Sequence, residues 1–98
     1  MTTHEDDRRT LESWPEAKVI TAKVDCILGD HYHKVKTEKF IVTQGDVVLL
    51  LPNEWPQNME RGKIYTVSPN QRHSFDMKEG SVMIGLCSHP YDHNDDYK

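Results

Sequence analysis

At 98 residues the chain has room for one small hydrophobic core and no second. A formal net charge of −4 lacks the basic face that nucleic acid requires, and no apolar run approaches the roughly 18 residues of a membrane span. The opening stretch from Met1 to Arg9 is polar, without the apolar segment of a secretory leader, so the expected setting is the cytoplasm, with neither nucleic acid nor membrane as partner.

In chain order, residues 1–17 are expected to form a flexible or partner-docking segment, and residues 1–12 to be poorly ordered unless docked. Strands are expected over 18–24, 26–33, 38–43, 46–51, 63–67, 73–77 and 81–87, with turn signals recurring at short intervals, as in an all-β barrel or sandwich. The segment Pro52-Asn53-Glu54-Trp55-Pro56-Gln57-Asn58-Met59-Glu60-Arg61 is too rich in Pro and Asn for a ladder and reads as a loop or rim. Residues 88–98 form a polar tail expected to be solvated, with 93–98 poorly ordered unless docked. Cys26 and Cys87 form no CxxC pair, and reduced, buried thiols are expected, with a disulfide between them left open; Cys26, a few residues before a histidine pair, is the one placed near a site. Residues 47–51 and 82–87 are apolar on both parities, whereas a strand with water on one face should alternate. Both faces are therefore expected to be buried, and a homodimer is the expected cover, with the strand from Lys18 or the segment around Trp14 crossing over; the chain's own flanks are the alternative.

The densest chemistry is His31-Tyr32-His33, followed after four residues by Glu38 and completed by the distant His73. On a strand, positions i and i+2 share a face, so His31 and His33 are expected to project together, and a turn over 34–37 returns Glu38 to the same spot. Three imidazoles and a carboxylate suit a divalent transition metal among Mn, Fe, Co, Ni, Zn and Cu. A lone His-x-His pair is usually an ordinary solvated face, and the complete set of four weighs against that. By alternation, Glu38, Phe40 and Val42 are expected to face inward and Lys39 and Thr43 outward, an assignment that inverts on a one-residue slip. Tyr32 and Arg72 are expected to point away from the site, and Trp14 and Trp55, each beside a proline, to pack on a barrel end.

The run from Gly29 through His31, His33 and Glu38 to Gly45 resembles the first cupin motif, and the run from Gly62 to His73 resembles the second. It departs from the pattern at Ser68, where proline is usual, at Asn70, where glycine is usual, at Met77, where the trailing asparagine is missing, and in the short gap from Gly29 to His31. Asn tolerates φ > 0, which keeps the turn before His73 feasible. The resemblance covers about 19–86. It implies a single cupin-type antiparallel β-barrel (a double-stranded β-helix, or jelly roll) over 18–98, with His31, His33, Glu38 and His73 holding one divalent metal, a small-molecule ligand and homodimeric assembly. Without a thiolate, such a site is of catalytic rather than closed structural type.

The tail from Ser88 to Lys98 resembles the ends of sugar-directed cupins, which implies a sugar or sugar derivative and isomerase- or epimerase-like Lewis-acid chemistry. Two alternatives stand beside it. One is a metal-free sugar-nucleotide 3,4-ketoisomerase, with His31 or His33 as base and the other as acid, His73 a further catalytic candidate and Tyr91 near the rim. The other is a non-catalytic binding or sensing module; fold alone does not choose among them.

Overall fold

The computed structural model describes residues 1–90 and 92–98. Ten strands follow in order: β1 (Thr2–Glu5), β2 (Arg9–Trp14), β3 (Ala17–Ala22), β4 (Cys26–His31), β5 (Glu38–Gln44), β6 (Val47–Leu50), β7 (Gln57–Asn58), β8 (Ile64–Val67), β9 (His73–Met77) and β10 (Val82–Cys87), with a 3₁₀ turn at His93–Asp95. They form two antiparallel sheets, one ordered β1-β2-β3-β10-β5-β8 and the other β4-β9-β6-β7. The expected all-β barrel is what the chain builds.

Period-two alternation decides which side chains fill the space between the sheets. On β5, Glu38, Phe40 and Val42 are buried while Lys39 and Thr43 are exposed, as the pattern predicts. Val47 and Leu49 on β6 and Phe75 and Met77 on β9 join them from the opposite sheet, with Ile20, Ala22, Leu28, Met59, Val67 and Met83 completing the core. The rings of Phe40 and Phe75 meet at 4.6 Å and 57°, a tilted contact that ties the sheets together directly below the candidate site. Each such side chain, fully buried, stabilises the fold by about 1.5–3 kcal/mol.

All seven expected strands are present, most trimmed at their ends. Three segments differ from expectation. In place of a flexible or partner-docking segment over 1–17, β1 and β2 form a hairpin whose second strand pairs in register with β3, Leu11 opposite Ile20. The Asp6 carboxylate closes that hairpin by accepting from the amides of Arg8 at 2.8 Å and Arg9 at 3.0 Å, an Asx-type turn. Every residue of β1 is exposed, so the strand shows no hydrophobic period and is held by its pairing to β2 and by the ion pair of Glu5 with Lys23 at 2.8 Å. The Pro- and Asn-rich loop contains the short strand β7, paired to β6. The end of the chain is docked rather than solvated: Tyr32 and Tyr97 exchange backbone hydrogen bonds of 2.9 and 3.0 Å and stack their rings at 5.2 Å, which gives Tyr32 its structural role. No helix among the described residues is long and apolar enough to cross a membrane.

The short gap in the first motif is a bulge. Gly29 and Asp30 take φ of +95° and +61°, and the β4–β9 register shifts there so that His31 comes opposite His73. A Cβ at Gly29 would lie 3.2 Å from the carbonyl oxygen of His73. Gly29→Ala should therefore cost about 1–3 kcal/mol through backbone strain and crowding. Urea unfolding is the measurement, and an unchanged midpoint would show the bulge to be slack.

Candidate metal centre

Three separate backbone features bring the cluster together. The bulge aims His31 and leads into His33, Glu38 opens β5 and His73 opens β9. One ligand atom from each of His31, His33, Glu38 and His73 lies within 4.8 Å of all the others. Glu38 is fully buried, His73 and His33 nearly so, and His31 alone reaches toward solvent. Glu38 Oε1 stands 3.1 Å from His33 Nε2 and 3.5 Å from His73 Nε2.

Hydrogen bonding on the far side of each ring fixes what it offers the centre. His33 Nδ1 lies 2.7 Å from the carbonyl oxygen of Asp95, and His73 Nδ1 3.0 Å from that of Gln71. A carbonyl can only accept, so each Nδ1 carries a proton, and a ring holding that proton alone turns a bare Nε2 lone pair inward. Glu38 Oε1 is also an acceptor. His33 Nε2 and Glu38 Oε1 are buried with no hydrogen-bond partner, and the 3.1 Å between them becomes a hydrogen bond only if the ring takes a second proton. Converging acceptors without a donor call for a cation between them. The four residues thus fit a metal ion, by both donor type and unsatisfied geometry.

The surrounding charge keeps the centre in its ligating form. Burial alone would raise the carboxyl pKa of Glu38, but the facing His33 and His73 rings, which donate to it whenever an Nε2 carries a proton, and the ammonium groups of Lys18 and Lys36 hold the group well below the usual carboxylate range. Lys18 Nζ sits 3.0 Å and Lys36 Nζ 3.8 Å from Glu38 Oε2. Burial, then the neighbouring His73, push His31 down to about 4, so its ring is neutral near pH 7. The cysteine beside the site is Cys87, not Cys26. The β10–β5 register sets Cys87 opposite Glu38, its Sγ 3.5 Å from Oε2, whereas Cys26 pairs with Met77 at the other end of β4. Burial pushes the Cys87 thiol up, which leaves it protonated, and both cysteines are unpaired.

The tail supplies residues that sequence reading missed. The Asp95 carboxylate accepts from the amides of Lys34 at 2.8 Å, Val35 at 3.0 Å and Lys36 at 3.2 Å, pinning the turn between His33 and Glu38. Asp96 Oδ1, buried without a hydrogen-bond partner, stands 3.6 Å from His31 Nδ1. The visible signal was a capping pattern, Asp92 accepting from the amide of Asn94 at the 3₁₀ turn, and nothing local said where that turn docks. Tyr91 lies outside the described residues. A cavity of about 660 Å³ opens beside His31, walled by Arg9, Trp14, Lys18, Lys36 and Asp96 among others. Arg72 faces away, paired to Asp30 at 3.1 Å. The tryptophans do not pack on a barrel end: Trp55 is 91% exposed, and Trp14, 45% exposed, borders the cavity.

Asp95 gives a pH test of the docked tail. Burial raises its pKa, but the three amide donors overcome that and leave it below its ordinary value. A depressed carboxylate pKa stabilises docking at every pH above the ordinary range, and the contribution is lost as pH falls through the lowered value. Exchange protection of the Tyr97 amide should persist at neutral pH and vanish in acid. Asp95→Ala should remove it at all pH values and cost about 1–3 kcal/mol. Full protection in that variant would refute the role of the carboxylate.

No family model and no curated protein matches this chain. Among solved structures it is similar to the capsular polysaccharide assembling protein CapF from Staphylococcus aureus, with 21% identity and a TM-score of 0.81 over 98% of this chain and 33% of that one. It is also similar to KdgF from Halomonas sp., at 16% identity and TM-score 0.78 over 96% of this chain and 92% of the other. A third is Pac13 of Streptomyces, a nucleoside dehydratase, at 15% identity and TM-score 0.76 over 97% and 81%. The chain spans about a third of the length of CapF. All are cupin-fold proteins, and the likeness at these identities establishes the fold.

Proposed function

We propose that this cupin-fold chain is a metal-binding domain that acts on a small polar molecule, with a sugar or sugar derivative as the favoured class. The observation that carries the metal is the buried meeting of His33 Nε2 and Glu38 Oε1, acceptors without a donor. His31, His33, Glu38 and His73 would hold the ion, and the open cavity beside His31 would admit the ligand. When bound, a divalent ion supplies Lewis-acid polarisation of a carbonyl or hydroxyl. The chain's own residues do the rest. Lys18 and Lys36 keep Glu38 ionised, the Asp95 and Gln71 carbonyls hold two imidazoles in the ligating tautomer, and the carboxylate of Asp96, a residue of the cavity wall, would take or return a proton. Support for a sugar comes from the polar tail against the site and from neighbours that assemble capsular polysaccharide or dehydrate a nucleoside. The unpaired Cys26 and Cys87 accord with a reducing, cytoplasmic setting.

A metal-free acid–base site is favoured by one distance, the 3.1 Å between His33 and Glu38, which a second proton on the ring would make an ion pair. Elemental analysis separates the readings. Protein purified without a histidine tag and supplemented with divalent ions should retain about one ion per chain. His33→Ala should lose it while keeping its circular dichroism. Wild-type protein without metal after supplementation would overturn the metal reading in favour of the acid–base one.

A homodimer is the proposed assembly, and the outer face of the larger sheet supports it. Pairing aligns Val19, Ile84, Ile41 and Ile64 across β3, β10, β5 and β8, on the parity opposite the core. Ile64 is 55% exposed and Leu86, on the same face, 44%, an apolar row that a second copy would cover. The strands β2 and β3 pair within one chain, so the proposed contact is face to face rather than by strand crossover. Light scattering at micromolar concentration should give the dimer mass, and Ile64→Lys should give the monomer. A wild-type monomer would rule the assembly out.

A further inference from the structure

We infer that Asp95, with the docked segment 92–98 that carries it, is a positioning element of the metal centre, so that the ion and the docked tail each strengthen the other; this rests on the metal reading above. Three successive tail residues meet the three residues of the His-x-His run one for one. The Asp95 carbonyl accepts from His33 Nδ1 at 2.7 Å, Asp96 Oδ1 stands 3.6 Å from His31 Nδ1, and Tyr97 exchanges backbone hydrogen bonds of 2.9 and 3.0 Å with Tyr32. The Tyr97 ring is itself held, stacked on Tyr32 at 5.2 Å and capped by Lys34 Nζ, 4.5 Å from its centre. Asp95 is buried, although its stretch of chain is polar throughout.

The tail also reaches the carboxylate ligand. By accepting from the amides of Lys34, Val35 and Lys36, the Asp95 side chain fixes the turn that joins His33 to Glu38 and that carries Lys36 to within 3.8 Å of Glu38 Oε2. The tail thus touches the support of His31, His33 and Glu38. His73 differs, because the carbonyl on its Nδ1 belongs to Gln71, two residues away, whereas the partner of His33 lies 62 residues along the chain. With the tail released, the His33 ring loses the acceptor that commits its Nδ1 proton and is free to turn or to take the other tautomer. The apparent affinity for an ion then falls in proportion to the fraction of molecules that still present a bare Nε2. In the other direction, an ion on Nε2 draws electron density from the ring and makes Nδ1–H a better donor to the Asp95 carbonyl. Coupling of this kind acts equally on both events.

The test uses the full chain and zinc alone, and reads hydrogen exchange at the Tyr97 amide together with the zinc dissociation constant from competition with a chelator. Saturating zinc should slow exchange at Tyr97 by about tenfold in the wild type, the size typical of a partner that orients a metal-bound imidazole. Asp95→Ala, which releases the tail, should bind zinc by about the same factor more weakly while keeping its circular dichroism. A tail that merely caps the barrel would exchange at one rate with and without zinc, and its release would leave the zinc constant where it was. Either of those results overturns the proposal and leaves the metal reading standing. Wild-type protein that binds no zinc overturns both. Should Asp95→Ala fail to fold, the effect of zinc on Tyr97 exchange in the wild type decides alone.

Discussion

An ionised carboxylate with no exposure to water is among the most costly groups a small barrel can enclose, and Glu38 is one. Much of the neighbouring architecture is compensation for it. Lys18 occupies an inward position that its strand would otherwise give to an apolar residue, and it reaches Glu38 along the face of Phe40, 5.5 Å from the ring centre. Gly85 leaves room for that stem, since a Cβ there would come within 2.9 Å of Lys18 Cε and 3.0 Å of Phe40. Lys36 is buried for the same reason. One oxygen of the carboxylate is thereby saturated with ammonium groups, while the other is left to the imidazoles.

This division of labour separates structure from chemistry within a single side chain. Oε2 belongs to the fold and Oε1 to the site. The imidazoles are divided likewise, Nδ1 committed to backbone carbonyls and Nε2 turned inward. Preorganisation of this kind places the orientational cost in the folding of the domain, so that little remains when a ligand or ion arrives.

The sequence was legible where local periodicity carries the information. The alternation from Glu38 to Val42 gave the correct inward face, because a buried strand edge repeats every second residue. Asn70 takes φ of +67°, as its place in the second motif requires. The spacing of His31, His33, Glu38 and His73 grouped residues that the fold does bring together. Legibility ended where a polar residue's partner lies far along the chain. Arg9, Lys18, Lys36, Asp95 and Asp96 sit in charged stretches that look like solvated surface, and only tertiary pairing reveals that they wall the site. The hairpin of β1 and β2 was hidden for a related reason, since a strand exposed at every residue has no hydrophobic signature.

The bond between His33 Nδ1 and the carbonyl of Asp95 spans 62 positions of sequence. During synthesis all four clustered side chains emerge well before the group that orients one of them. Long-range closures of this kind form late, because loop entropy is spent before the contact repays it. The nascent barrel would therefore pass through a stage with its sheets paired and its histidines present but one ring still free to turn. The orientation of the His33 ring, on this view, is set only when residues 92–98 dock, after the strands have paired.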